Sequence, residues 1–402
     1  MWLQNVSRRL LSDHIVKYTS SGVLEFDVRY FEPASRLTSV TGLDGPQLLQ
    51  PITILNYIAQ STPLQLLDDP YHLFRRWAVL KYLGAFDSAY QIPNSPPVLD
   101  LARQTSLVRA NQRRVFSEEL GIGFSIDAGV RWISQLRPNS LTRTVDVDNL
   151  IDTVPGIAAE ISYDSRRRPD YLQMTSSPTD PTLIYLTALE SKGSRAYRVS
   201  CDQLGNAWWQ LDSMKVAGTA IPGLATGAVL DRGSVSINVL QMPTFENLGK
   251  GPAVRLAAGS LGHEDNAVER LAVAGIQASL ATQSAVTGNR AGYMRWGRSR
   301  AEPANLQPPI RVPTDSGDIV GVQTTVPLFG GLVDVTIGVP NELNEMLAEA
   351  PLEALLRGQA EVIPRRRDRA EAERVAGEES SSELVSVGPD GTTLVLQFRS
   401  AY

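Results

Sequence analysis

The sequence predicts an α/β (α+β) fold, in which helices pack on a mixed β-sheet. A stretch from residue 111 to about 136 repeats apolar side chains every fourth residue, as a helix with one buried face does. Residues 157–191 contain three strand-like segments, of which the last is strongly apolar. The 402 residues are 43% hydrophobic and 20% charged, which is typical of globular proteins and excludes a collagen, a coiled coil or a wholly disordered chain.

Chain length and proline-rich segments predict several regions, because domains usually contain roughly 100–200 residues. The expected regions are an α-rich N-terminal region (1–105), a core (106–245), a helical segment with a linker (246–310), and a C-terminal α+β region that ends in a hairpin (311–402). Within the first region the residue patterns predict a strand at Ser20–Tyr30 and helices at Ile52–Ala59 and His72–Leu83.

The core is predicted to follow the order helix, three strands, helix, strand. The expected elements are a helix at 111–136, strands at Ile157–Tyr163, Asp170–Met174 and Leu183–Leu189, a helix that begins at Ser200, and strands at Ala225–Leu230 and Ser234–Gln241. Ser200 and Gln203 fit a capping box, in which the two side chains bind backbone N–H groups of the first turn. Gly121 weakens the long helix but allows close packing against a sheet.

The C-terminal region is predicted to contain two hairpins around a helix. The expected elements are strands at Ile319–Val326 and Leu332–Ile337, a capped helix at Asn341–Leu356, a solvated and mobile charged segment at Arg365–Ser382, and a terminal hairpin of Leu384–Val387 and Thr392–Phe398. Residues 246–300 are expected to be helical, and the proline-rich residues 301–313 are expected to form a linker.

Charge and composition exclude several kinds of function. The net charge is −5, so nucleic-acid binding would depend on a local basic groove and not on bulk charge. The single cysteine, Cys201, rules out an intrachain disulfide and a cysteine zinc finger, and the three widely spaced histidines disfavour a histidine zinc site. The N-terminus lacks the apolar core of a signal peptide and the chain lacks a long apolar run. These observations predict a cytoplasmic protein that makes no membrane contact.

Three residues carry the predicted chemistry: Asp170, Glu190 and Lys192. Side chains alternate along a strand, so Glu190 and Lys192, two residues apart, project from the same face. A neighbouring antiparallel strand that begins at Asp170 would place a second carboxylate beside them. Two carboxylates suit Mg²⁺, which prefers hard oxygen ligands and keeps several waters. An adjacent ammonium can orient the attacking water and stabilise negative charge, as phosphodiester hydrolysis requires.

Pro169-Asp170 followed by Glu190-Ser191-Lys192, in the predicted order of elements, resembles the PD-(D/E)xK nuclease superfamily. The resemblance covers about residues 110–245 and implies a restriction-endonuclease-like mixed-sheet core (αβββαβ). It implies a metal-dependent nuclease that cleaves DNA, with Mg²⁺ or Mn²⁺ held by Asp170 and Glu190 and with Lys192 catalytic. It further implies a prokaryotic restriction or anti-phage defence nuclease, with DNA and proteins of a defence system as partners and a homodimer as an option.

The same resemblance implies accessory residues. Many members add an acidic residue from the preceding helix, for which Glu118 and Glu119 are the candidates; Glu119 lies in the apolar stripe and is expected to be the third metal ligand. Some members use a glutamine on the following helix, a role that Gln203 or Gln210 could take. The basic residues expected to contact DNA phosphates are Arg113, Arg114, Arg166, Arg167, Arg168, Arg195 and Arg198.

Each of these residues also has an ordinary structural explanation. Glu190 and Lys192 could mark the end of a strand that surfaces into solvent, and Pro169-Asp170 could be a simple turn. The glutamates and arginines could form solvated surfaces, and Gln203 could serve only as a cap partner. Two further alternatives concern the whole chain: a catalytically inactive DNA-binding or scaffold module with the same fold, or a structural protein in which the three residues lie far apart.

Overall fold

The computed structural model describes residues 2–24, 36–61, 71–89, 93, 95–153, 161–162, 168–216, 218–231, 233–243, 253–256, 267–297, 308–328, 331–376 and 382–400. The chain divides into two compact units. The terminal unit comprises 1–12, 50–84 and 277–402, and the central unit comprises 13–49 and 85–276. Neither unit is one continuous stretch of sequence.

The helices are α1 Trp2–Leu11, α2 Ser21–Leu24, α3 Pro51–Ser61, α4 Tyr71–Tyr82, α5 Ala110–Leu136, α6 Val147–Thr153, α7 Tyr197–Ser213, α8 Ala267–Val286, α9 Arg290–Trp296, α10 Asn341–Glu349 and α11 Leu352–Ala376, with a 3-10 helix at Arg103–Leu107. The strands of the central unit are β1 His14–Thr19, β2 Thr38–Ser39, β3 Gly45–Leu49, β4 Phe86–Ser88, β5 Leu99–Leu101, β6 Leu141–Asp146, β7 Ile161–Ser162, β8 Tyr171–Ser176, β9 Leu183–Ser194, β10 Lys215–Val216, β11 Thr219–Ala220, β12 Gly223–Asp231, β13 Ser234–Gln241 and β14 Ala253–Arg255. Those of the terminal unit are β15 Ile310–Val312, β16 Ile319–Leu328, β17 Gly331–Pro340, β18 Glu383–Val387 and β19 Thr393–Ser400.

The central unit is built on a large mixed sheet, so the predicted α+β class is confirmed. Its strands lie in the order β3-β1-β13-β12-β9-β8-β6. Strands β6, β8 and β9 form an antiparallel meander, and β12 returns parallel to β9 after helix α7. Strand β13 pairs antiparallel with β12, and the early strand β1 joins parallel to β13.

Helices α5 and α7 cover opposite faces of this sheet. The predicted apolar stripe of α5 is confirmed, because Leu120, Phe124 and Trp132 are buried. A Cβ added to Gly193 on β9 would meet the Ser117 carbonyl of α5, whereas one added to Gly227 on β12 would meet the Ser200 hydroxyl of α7. Gly193 pairs with Ala228, the neighbour of Gly227, and successive residues of a strand face opposite sides, so these contacts assign the two helices to different faces.

The prediction that Ile157–Tyr163 is the first strand of the core sheet is wrong, although its described residues do form a strand. Of residues 157–163, the structure describes only 161–162, which form β7 in a separate small sheet with β10 and β11. The strand that pairs with β8 is β6, Leu141–Asp146, whose polar residues Thr142 and Arg143 are buried. Because buried polar residues break the alternation of apolar and polar side chains, this strand has no clear periodicity in the sequence.

The structure corrects two further predictions, the strand at Ser20–Tyr30 and the start of helix α7. Residues 21–24 of the predicted strand Ser20–Tyr30 form helix α2, and the strand lies earlier, at β1; residues 25–30 lie outside the described residues. Helix α7 begins at Tyr197 with Ala196 as its N-cap, so Ser200 does not cap it. Ser200 is instead buried within the helix and donates a hydrogen bond to the Gly227 carbonyl at 3.2 Å.

The terminal unit contains both predicted C-terminal hairpins, in a sheet of order β15-β16-β17-β19-β18. The predicted helix Asn341–Leu356 is divided into α10 and the start of α11. The expectation of a mobile segment at Arg365–Ser382 is wrong for its described part up to Ala376, which is helical. Arg366 is buried there and forms an ion pair with Glu342, an interaction that a charged sequence pattern does not reveal.

Residues 246–313 contain helices α8 and α9, as expected, but also two short strands. Strand β14 pairs with β9, and β15 lies within the predicted linker, of which residues 301–307 are outside the described part. Among the described residues, no helix combines the length and the apolar character needed to cross a membrane.

Candidate active site

The antiparallel pairing of β8 with β9 brings Asp170, Glu190 and Lys192 together. Tyr171 pairs with Leu189, so Asp170 lies beside Glu190. The Asp170 N–H donates to Glu190 Oε2 at 3.1 Å, and the Ser191 N–H donates to Asp170 Oδ2 at 2.9 Å. Lys192 Nζ forms an ion pair with Glu190 Oε1. The three side chains therefore meet at one place, in contrast to the alternative in which they lie far apart.

Burial and the close spacing of charges shift the pKa values of the three ionisable groups in this cluster. Glu190 is 0% exposed, and the Lys192 side chain is 23% exposed. Burial and the neighbouring Asp170 carboxylate raise the pKa of Glu190 to about 8, since the attraction of Lys192 offsets them only in part. Burial likewise raises the pKa of Asp170. Burial alone would lower the pKa of Lys192, but the two carboxylates outweigh it and raise that pKa. The carboxylates thus favour any further positive charge that can reach them.

Asp170 and Lys192 line a cavity of about 510 Å³, which we call the acidic cavity, whereas the fully buried Glu190 is not among its lining residues. The ionisable and amide lining residues of this cavity are Glu118, Asp146, Asp148, Arg168, Asp170, Lys192 and Gln203. The pKa of Asp146 is raised by burial and by the charges of Asp148 and Asp170. Asp148 forms an ion pair with Arg168. The cavity therefore concentrates carboxylates around one ammonium group.

Asp146 and Asp148 are the site residues that the sequence analysis missed. Asp146 ends β6 and pairs with Tyr171, which places it next to Asp170. A strand that ends at Asp146 and pairs with the Asp170 strand would have predicted that this carboxylate lies at the site. That prediction required β6 to be recognised as a strand.

The two candidate glutamates of α5 are placed differently. Glu118 lines the acidic cavity and pairs with Arg114, with 2.8 Å between Arg114 Nε and Glu118 Oε1. Glu119, which the sequence favours as a third metal ligand, is half-buried and is not among the lining residues of the acidic cavity. The helix therefore turns the neighbouring carboxylate, and not the expected one, towards Lys192.

The glutamines of α7 also differ in position. Gln203 lines the acidic cavity, and its Oε1 atom is buried without a hydrogen-bond partner among the residues that the structure describes. Gln210 lies further along the helix and donates to the Arg168 carbonyl at 3.1 Å. Gln203 is therefore the glutamine that faces the candidate site.

The predicted basic residues are only partly brought together. Arg113, Arg114 and Arg195 line a second cavity of about 380 Å³, which we call the basic cavity. Arg168 lines the acidic cavity, and Arg198 is exposed and lines neither of these two cavities. Arg166 and Arg167 lie outside the described residues.

A chain of hydroxyl groups supports the site from the α5 side of the sheet. Ser125 Oγ lies 2.8 Å from Ser191 Oγ and 2.5 Å from Thr226 Oγ1. The Thr226 hydroxyl lies 2.9 Å from the Glu190 carbonyl oxygen, to which it can donate. Buried hydrogen bonds of this kind fix the backbone of residues 190 and 191, and so fix the direction of the Glu190 side chain.

Asp170 and Glu190 are the residues best suited to hold a divalent cation. Within the described ranges, no group of three or more histidine, cysteine, aspartate or glutamate side chains is arranged to hold a metal ion. Mg²⁺ typically takes only one or two protein carboxylates and completes its shell with water and phosphate oxygens. The adjacent carboxyl groups of Asp170 and Glu190 meet that number, and Glu190, whose pKa is raised to about 8, would have to lose its proton to bind a cation.

Comparison of the chain with protein-family models, with curated proteins and with solved structures gave no match.

The raised pKa of Glu190 predicts that the metal-free protein loses stability as pH rises. Unfolded Glu190 ionises near 4.5 and folded Glu190 near 8, so between these values the folded state binds the extra proton. The free energy of unfolding should fall by up to about 1.4 kcal/mol per pH unit in this window. The change in the free energy of unfolding is measured by urea unfolding at pH 5.5 and 8.5 with a chelator present.

Glu190→Gln is the matched control for this prediction, since glutamine has the same shape and does not ionise. Its unfolding free energy should depend much less on pH over the same window. A wild-type stability that rises between pH 5.5 and 8.5, or an equal slope in both proteins, would contradict the prediction.

Proposed function

We propose that this protein is a metal-dependent nuclease that hydrolyses DNA phosphodiester bonds. The observation that carries the proposal is the meeting of Asp170, Glu190 and Lys192 just before the start of β8, where β9 continues beyond its pairing with β8. The elements around them support it. Helix α5, strands β6, β8 and β9, helix α7 and the parallel strand β12 are consistent with the αβββαβ order of a restriction-endonuclease-like core, with helix α6 and strand β7 inserted between β6 and β8.

The residues divide the chemistry between them. Asp170 and Glu190 would hold Mg²⁺, or Mn²⁺ in its place, and the bound ion would supply Lewis-acid stabilisation and a more acidic water. Lys192 donates hydrogen bonds, so it orients the attacking water and stabilises the negative charge on the phosphorus-bound oxygens. Its ion pair with Glu190 holds the ammonium within the acidic cavity. Glu118 is the acidic residue of α5 that lies at this cavity.

The biological setting follows from the proposed chemistry and the resemblance. In this proposal the protein acts on DNA in the cytoplasm, in prokaryotic restriction or anti-phage defence, with proteins of that system as partners. A homodimer would allow both strands of a duplex to be cut.

A cleavage assay with an Asp170 variant tests the proposed function. Linear and circular DNA are incubated with wild type, with Asp170→Asn and with the control Asp202→Asn, under Mg²⁺, Mn²⁺ or chelator. Asp202 is exposed on α7 and lines neither cavity. Wild type and Asp202→Asn should cut DNA only with metal, and Asp170→Asn should lose at least about 100-fold in rate, since even outer-shell partners of a metal site cost about 10–100-fold.

Two outcomes would overturn the proposal. Equal metal-dependent cleavage by wild type and Asp170→Asn would assign the activity to a contaminant. Binding of DNA by wild type without cleavage under either metal would favour the catalytically inactive module.

A further inference from the structure

Two arginines of the basic cavity have no ion-pair partner among the residues that the structure describes. Arg113 and Arg195 are half-buried and both line this cavity. Within the described part of the chain, neither guanidinium forms an ion pair, whereas the neighbouring Arg114 is paired with Glu118. Partial burial makes a charge costly unless a counter-charge is supplied, so two such arginines facing one cavity indicate an anionic ligand.

The basic cavity lies directly beside the acidic cavity. The two share Glu118, Gly193 and Gln203 as lining residues. This closeness arises from Gly193, which lacks a side chain and lets the Ser117 turn of α5 lie against β9. The first turns of α5, which carry Arg113, therefore lie next to the strand end that carries Lys192.

Gln203, in the wall shared by both cavities, has an unsatisfied polar atom. Its Oε1 is buried and lacks a hydrogen-bond partner among the described residues. A buried acceptor of this kind costs about 1–3 kcal/mol, so such atoms commonly contact a ligand or an ordered water. Gln203 therefore presents an unsatisfied acceptor in the wall shared by the two cavities, where it could accept a hydrogen bond from a donor group of a bound ligand or from water.

We propose that the basic cavity is a phosphate subsite for the nucleotide next to the cleaved bond, so that the substrate is a polynucleotide strand lying across both cavities. This proposal rests on the proposed function of the acidic cavity. Guanidinium groups match phosphate oxygens in a two-pronged geometry, and phosphates recur along a strand at every nucleotide. A phosphodiester with no neighbouring phosphate would occupy the acidic cavity alone and leave Arg113 and Arg195 unused.

The test compares two substrates in the double variant Arg113→Gln/Arg195→Gln. The small diester bis(4-nitrophenyl) phosphate carries one phosphate, and a single-stranded 12-nucleotide DNA carries many. The variant should lose roughly tenfold or more in kcat/KM for the oligonucleotide and should stay within about twofold of wild type for the small diester. Arg357→Gln changes an exposed arginine of α11 that lines neither cavity, so it is the matched control and should change neither rate.

Binding measured in chelator separates this proposal from the proposed function. The double variant should bind the fluorescent oligonucleotide roughly tenfold more weakly than wild type. The dependence of log K on log salt should become less steep by about 0.7 for each phosphate that the variant no longer neutralises. Arg113→Lys/Arg195→Lys keeps the positive charges and should recover most of the affinity. Such a recovery would show that the glutamine variant binds weakly because it lacks the charges and not because it misfolds.

If oligonucleotide cleavage and binding in the double variant equal those of wild type, the subsite proposal is wrong, although the nuclease proposal could stand. If wild type cleaves neither substrate but binding still falls in the glutamine variant and recovers in the lysine variant, the phosphate subsite is supported and the nuclease proposal fails.

Discussion

Lys192→Met is expected to reduce DNA cleavage by roughly 10²–10³-fold, the range typical of losing one donor that stabilises transition-state charge. Methionine keeps the length of the side chain and removes the ammonium that pairs with Glu190. The charge that develops on the phosphate oxygens would then lack its only lysine partner at the acidic cavity as the structure describes it. Single-turnover cleavage at saturating Mg²⁺ measures the loss without interference from product release.

Lys192→Met also changes the folded state, in a way that a second measurement can separate. Removing one partner of a buried ion pair costs about 3–5 kcal/mol when the other charge stays buried. Glu190 can avoid that cost by remaining protonated, because its pKa is already about 8. The variant should therefore be close to wild type in stability at pH 5.5 and less stable at pH 8.5.

Lys215→Met is the matched control for the loss of a lysine charge. Lys215 lies on β10 and lines neither cavity. It should leave both the cleavage rate and its dependence on pH unchanged. Cleavage by Lys192→Met at more than a tenth of the wild-type rate would remove Lys192 from the proposed chemistry.

Gly193→Ala is expected to destabilise the central unit by about 3 kcal/mol, at the upper end of what overpacking costs. Its new Cβ would overlap the Ser117 carbonyl oxygen, and a main-chain atom cannot rotate away. Helix α5 would have to shift as a whole, and Glu118 would shift with it relative to Lys192. Urea unfolding followed by tryptophan fluorescence measures the change.

Gly227→Ala, one strand away on β12, is the control for adding a methyl group to the same sheet. Its new Cβ would meet Ser200 Oγ, an atom that can rotate at small cost. We expect a loss of about 1 kcal/mol, mostly from the disturbed Ser200 hydrogen bond. Equal losses in the two variants would show that the close packing of α5 on β9 is not what makes Gly193 necessary.

The sequence was sufficient to predict the central pair of strands and the residues that meet there. Alternation along a strand placed Glu190 with Lys192, and the short connection between the two strands placed Asp170 beside them. Helix α5 was predicted from a different periodicity, the recurrence of its apolar residues at helical spacing. These features depend on local periodicity, which a single sequence contains.

The parts that could not be predicted depend on contacts distant in sequence. Strand β6 buries Thr142 and Arg143, so the site residue Asp146 had no recognisable strand around it. Arg366 belongs to a segment that is highly charged, yet it is buried against Glu342. Ser200 has the spacing of a helix cap, but its hydroxyl binds the Gly227 carbonyl on a strand. In each case a polar side chain contacts another element of the fold, and local sequence patterns do not contain that information.

The pairing of β1 with β13 has a consequence for how the protein is made. The Ser20 hydroxyl donates to the Val239 carbonyl at 2.7 Å, across 219 positions of the chain. During translation, β1 emerges early and can pair with β3 on one edge, but its other edge stays unpaired until the ribosome delivers β13 much later. Pairings of such long range form slowly and leave strand edges exposed to other chains. We therefore expect nascent chains that stop before β13 to be the aggregation-prone species in the cell.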